Sequence, residues 1–155
     1  MTVYSVDVEI RAPVQPTEVT DRVADAVREL FPNADLREEP GELVGEAHSL
    51  DHFSERLREQ AILDTARNTF HDTLEGDTFT FRLKKQAAFV GTVNFAVGSE
   101  GELGDIFVQV TVRDPDPETY IEHVAPPTED GVPLDELAEQ AARDPTQDRD
   151  RGSEQ

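Results

Sequence analysis

Residues 3 to 11 alternate, with Tyr4, Val6, Val8 and Ile10 on one side and Ser5, Asp7, Glu9 and Arg11 on the other, the period-two signature of a half-buried strand. Pro13 and Pro16 end it. Thr17 stands where an N-cap belongs, and Val19, Val23, Val27, Leu30 and Phe31 then recur at helical spacing until Pro32, which predicts a helix over 18–31. Two short strands, 34–36 and 42–47, flank a turn at Pro40-Gly41. Ser49 opens a second apolar helical pattern, from Leu50 through Phe53, Leu57, Leu63, Ala66 and Phe70 to Leu74. Gly76 stops it, so the spacing predicts one long helix over 50–74 with a bend midway.

From Thr78 the period changes from helical to alternating. Phe79, Phe81 and Leu83 mark one strand; Phe89, Val93, Phe95 and Val97 a second; Ile106, Val108, Val110 and Val112 a third, with Gly98 and Gly101 turning between the last two. Three consecutive strands with short connections should be antiparallel neighbours. A short helical piece is expected over 118–123, a loop over 125–131, a short amphipathic helix from Pro133 to Arg143, and a polar, disordered end from Asp144 to Gln155. The expected organisation is one α+β domain over 1–131 and an acidic extension over 132–155. The fold class is a two-layer sandwich, with helices on one face of a largely antiparallel sheet. The other face is left for solvent, a ligand or a second subunit.

Charge changes this picture. The chain has 34 acidic residues against 14 basic ones, a net charge of −20, and its only lysines are Lys84 and Lys85. Self-repulsion on that scale strains a compact state in dilute buffer and is screened at molar salt, where the Debye length is about 3 Å. The expectation is a halophilic protein that unfolds when dialysed out of molar KCl, since strands rich in Val, Ile and Phe do not fit an acidic disordered chain. With no cysteine, disulfides, thiolate metal sites and cysteine nucleophiles are excluded. Neither a membrane span nor a signal peptide is visible, and a cytoplasmic location is expected.

Against this acidity, one stretch stands out. Thr78 to Ser99 holds no Asp or Glu, where the chain's overall frequency would place about five, and carries Arg82, Lys84 and Lys85. Part of the depletion is what central strands show anyway. A basic loop followed by Gln86 would also suit phosphate contacts or another anionic partner, although three positive charges are a small footprint for nucleic acid. His48 and His52 are four apart but lack both the glutamate of a zinc-protease motif and a third ligand, so no metal is expected. Asp114, Asp116 and Glu118 are separated by prolines and lack the glycine and terminal glutamate of a calcium loop. No nucleophile elbow and no phosphate-cradling glycine loop is present, so neither an enzyme nor a cofactor is expected.

Pro16-Thr17-Glu18, Ile62 to Arg67, Lys85 to Ala88 with Gly91, Leu103 to Ile106, and Ala125-Pro126 followed by Thr128 and Gly131 form an ordered set of blocks. Together they resemble the archaeal uncharacterised protein family numbered 0201, over about Val3 to Gly131. The resemblance implies an α+β fold similar to the ribosomal protein that binds five-S ribosomal RNA, and kinship with proteins described as predicted RNA-binding or exosome-associated. It implies no catalytic residues. The leading expectation is therefore a non-catalytic protein that meets structured RNA through Arg67, Arg82, Lys84, Lys85 and Gln86, without DNA specificity. The alternative is a homodimerising interaction module.

Overall fold

The computed structural model describes residues 4–96, 104–129 and 132–133. The elements run β1 (Ser5–Pro13), α1 (Thr20–Leu30), β2 (Asp35–Glu39), β3 (Glu42–Ala47), α2 (Asp51–Glu59), α3 (Leu63–Thr73), β4 (Thr78–Lys84), α4 (Lys85–Ala88), β5 (Asp105–Asp114), α5 (Pro117–Val124), β6 (Thr128–Glu129) and β7 (Val132–Pro133). Five strands form one sheet in the order β2-β3-β1-β5-β4, antiparallel throughout. This is the α+β architecture expected, with the helices on one face.

Strand alternation decides what goes inside. Val6, Val8, Ile10, Phe79, Phe81, Leu83, Ile106, Val108 and Val110 are buried against Val23, Val27, Leu30, Phe53, Leu57, Ala66 and Phe70 of the helices. Stacked and tilted rings link Phe31, Phe53, Phe81, Phe70 and Phe79 across that interface. The second face of the sheet carries the polar partners of the same strands and, among the described residues, no helix. Gly45 lies opposite Leu36, and a Cβ there would come within 2.7 Å of the Leu36 side chain, which would have to shift to admit it.

Several expectations are corrected. The single helix over 50–74 is two helices, joined by Gln60, Ala61 and Ile62, with Ala61 at φ 59°. An unbroken helix of that length would run about 37 Å, longer than the roughly 30 Å of the longest strands; the break lets Phe53 and Leu57 on one piece and Ala66 and Phe70 on the other reach the same core. Residues 85–96 are not the second strand of a meander. Lys85–Ala88 forms a helical turn, and among the described residues the chain returns to the free edge of β4 at one bridge, Phe95 to Leu83, closed by the Asn94 carbonyl and the Ala96 amide. Phe89, Val93 and Phe95 thus pack as separate anchors, so β4 pairs directly with β5.

Helix α1 begins at Thr20 with Val19 as its cap, not Thr17. Ser49 does serve the start of α2, its Oγ accepting the Asp51 amide at 3.0 Å. The expected loop over 125–131 contains β6, which pairs antiparallel with β7 just after it. The turn at Gly98 and Gly101, the helix proposed beyond Pro133 and the polar end lie outside the described residues.

Candidate functional site

The acid-free stretch contributes to three environments. Arg82 and Lys84 stand on the polar side of β4 and so on the open face of the sheet. Arg82 Nη1 donates to Asp105 Oδ2 at 3.0 Å, while Lys84 is exposed. Lys85 takes the opposite course, because the chain turns into α4 there and points its side chain inward. Its Nζ donates to Glu18 Oε1 at 2.8 Å and to the Pro13 carbonyl, and the side chain is fully buried. Lys85 therefore fastens the end of β1 and the approach to α1 to α4, and it cannot meet a phosphate as expected. Gln86 is exposed on α4.

Arg67 lies on the helical layer, away from the open face. Its Nη2 and Nε donate to Glu122 Oε2 of α5 at 2.6 and 2.9 Å, and Thr128 Oγ1 donates to Asp64 Oδ2 at 2.8 Å beside it. These contacts join α3 to α5 and the chain that follows it. The five expected contact residues thus divide between the open face, the interior and the helical layer, and only Arg82 and Lys84 share a surface.

The register of the open face brings together residues far apart in sequence. Arg82 pairs with Phe107, Phe107 with Arg11, Arg11 with Val44, and Val44 with Arg37. One row therefore crosses all five strands, with an arginine on β2, β1 and β4 and an apolar residue on β3 and β5. Of eight phenylalanines, seven belong to the core or pack against its margin; Phe107 is the exception. It is half-buried between Arg11 and Arg82. Each arginine of the row is held by a carboxylate: Arg11 Nη1 by Glu42 at 3.0 Å, Arg37 Nε by Glu39 at 2.9 Å, and Arg82 by Asp105.

The next row along the strands is Thr80, Gln109, Glu9, Glu46 and Asp35. A cleft of about 350 Å³ opens there, lined by Asp7, Glu9, Glu46, His48, Gln109, Thr111 and Arg113 among others. Asp7 is its ionic hub, bonded to Arg113 and 3.3 Å from His48 Nδ1.

Strongly perturbed acidities lie elsewhere. Burial pushes the Tyr120 hydroxyl up to about 12, where it accepts the Leu50 amide at 2.9 Å. The Thr119 amide and hydroxyl hold the Asp116 carboxyl below its ordinary value at the N-terminus of α5. Both groups cap helices. Among the described residues no cluster of three or more His, Asp or Glu side chains is placed to hold a metal ion, and no helix is long and apolar enough to cross a membrane.

Sequence reasoning missed Arg11, Arg37 and Phe107. One signal was available: Phe107 is a large apolar side chain at a polar-phase position, between Ile106 and Val108 and ahead of Gln109, Thr111 and Arg113. Its alignment with the arginines depends on strand order.

A family model described as RNA binding matches residues 7–113. A UPF0201 protein of Sulfurisphaera tokodaii is 40% identical over 142 residues, covering 86% of this chain and 94% of its own. A UPF0200/UPF0201 protein of Archaeoglobus fulgidus is 39% identical over 134 residues, and the chain spans only 41% of that relative's length. The crystal structure of a UPF0201 protein from Methanococcus jannaschii superposes with a TM-score of 0.77 at 37% identity, covering 82% of this chain and 98% of that one.

Proposed function

The chain belongs to the UPF0201 family of archaeal proteins, and from that membership we propose that it is a non-catalytic RNA-associated protein whose open sheet face receives an unpaired segment of RNA. The observation that carries the reading is the row Arg37, Val44, Arg11, Phe107 and Arg82. A half-buried aromatic ring between two guanidinium groups, on a sheet face that no helix covers among the described residues, supplies the two elements of sequence-tolerant binding to single strands. The ring stacks a base and the cations meet the backbone. The row is about 19 Å long, four strand spacings, and so follows an extended strand across the sheet. The family model's description, RNA binding, supports the same reading.

The arrangement also accounts for how an acidic protein could do this. Arg11, Arg37 and Arg82 are pre-positioned by neighbouring carboxylates, so phosphate contact exchanges one anionic partner for another. Binding then draws more on stacking and hydrogen bonding than on release of counterions. In such a complex Arg82 and Lys84 contact the backbone, whereas Arg67 and Lys85 keep their structural pairings.

The test is anisotropy titration of a fluorescein-labelled single-stranded RNA dodecamer with the full chain in molar KCl. Phe107→Ala is expected to weaken binding by about 1–3 kcal/mol, the range for loss of one stacked base, with little change in stability because the ring lies outside the core. Equal affinity in the variant would remove the sheet face from the binding surface. Absence of any binding, together with a doubled mass of the RNA-free protein, would favour the homodimeric module instead.

A further inference from the structure

Resting on the reading of the open face as an RNA surface, we propose that the face selects guanine, through carboxylate and amide groups one row beyond the Phe107 platform. Two residues along a strand is about 6.7 Å. A base stacked on Phe107 therefore turns one edge toward Gln109 on the same strand and toward Glu9, the direct cross-strand partner of Gln109. Glu46 is the partner of Glu9 on the other side and continues that edge.

The chemistry of the row narrows the occupant. Glu9 and Glu46 can only accept hydrogen bonds when ionised, and Gln109 can do both. Neither Gln109 nor Glu46 makes a side-chain hydrogen bond to the described residues, and the 350 Å³ cleft that they line lies within the range of small-ligand sites. Acidic side chains repel phosphate, so the backbone stays on the arginine row and the base edge enters the cleft.

The four bases differ at that edge. Guanine presents two adjacent donors, N1–H and the N2 amino group, which match both oxygens of one carboxylate. Adenine and cytosine present one amino group beside a ring acceptor that faces the carboxylate unfavourably. Uracil offers a single N–H between two carbonyls. The amide of Gln109 can meet the O6 acceptor of guanine while a carboxylate takes its two donors, so guanine alone engages both oxygens of a carboxylate, whereas adenine and cytosine pair with the row through a single donor and the neutral amide.

The experiment compares uridine dodecamers with and without a single central guanosine, inosine, adenosine or cytidine, by anisotropy titration in molar KCl. Guanosine is expected to bind about tenfold more tightly than uridine at that position, the lower part of the range for a bidentate contact to a base. Inosine, which lacks the N2 amino group, should fall between them. The preference should collapse toward unity in Glu9→Gln/Glu46→Gln and persist in Glu55→Gln/Glu59→Gln, which removes the same two charges from the helical layer. Arg11 retains Glu42 at 3.0 Å in the double variant, so its position does not depend on Glu9 alone.

Equal affinity for all five RNAs, with binding still lost in Phe107→Ala, overturns guanine selection and leaves the RNA surface standing. A guanosine preference unchanged in Glu9→Gln/Glu46→Gln overturns it too, because the selection then resides elsewhere. Failure to bind any of the RNAs overturns both readings, and saturable binding of a lysine-rich peptide by the same protein would assign the cleft to a protein partner.

Discussion

Arg82 and Lys85 stand three residues apart in one acid-free stretch, and the fold puts them in opposite environments. Arg82 lies on a solvated sheet face with its guanidinium part-exposed against Asp105; Lys85 is sealed between α4 and the end of β1 against Glu18. The same contrast extends across the molecule. Polar groups between the layers, Lys85 and the Tyr120 hydroxyl, hold elements together, whereas those of the open face are arranged in rows and remain accessible. Net charge along a stretch therefore says little about surface charge, because one turn of backbone can withdraw a cation from solvent.

The largest expected effect is on the buried side. Lys85→Met leaves the Glu18 carboxylate, whose Oε2 is already buried without a hydrogen bond, facing an apolar chain. The unfolding free energy should fall by about 3–5 kcal/mol in a denaturant titration, and the double variant Lys85→Met/Glu18→Leu should regain much of it. A loss below about 1 kcal/mol would put Lys85 in the same class as the surface arginines and break the comparison.

A smaller loss, about 1–3 kcal/mol, is expected for Tyr120→Phe, which leaves the Leu50 amide at the start of α2 without its acceptor. Here pH sharpens the contrast. Burial raises the folded hydroxyl to about 12 from 10.0, so the fold favours its neutral form. That contribution is whole below pH 10 and lost as pH rises through about 12. Alkaline unfolding followed by circular dichroism should accordingly be less steep in Tyr120→Phe than in the parent; an identical pH dependence would mean that the hydroxyl does not drive that limb.

Arg37→Ala should be the mildest. Its ion pair with Glu39 is exposed, and such pairs contribute about 0–1 kcal/mol. RNA affinity should nonetheless fall a few-fold, and the slope of log affinity against log salt should decrease by less than about 0.7, the full share of one phosphate on a single strand, because Glu39 takes up a cation when Arg37 leaves it. Unchanged affinity and slope would end the RNA path before β2.

Local pattern alone determined most of the layers. Alternation at Val6, Val8 and Ile10 and at Phe79, Phe81 and Leu83, and the helical spacing from Val23 to Leu30, each imply one buried face, because period and burial are coupled within a single element. The blocks from Pro16 to Gly131 also pointed to the family. Tertiary structure alone decided where one element must stop for another. The break at Ala61 follows from the length of the strands, and the helical turn at Lys85 in place of a strand goes with burial of that side chain against Glu18.

It alone decided the site as well. Arg11, Arg37, Arg82 and Phe107 acquire a common row only through the order β2-β3-β1-β5-β4 and its register. Pairing between residues 96 apart in the chain, as for Arg11 and Phe107, leaves no trace in local periodicity, because the energy that selects it comes from packing the whole core.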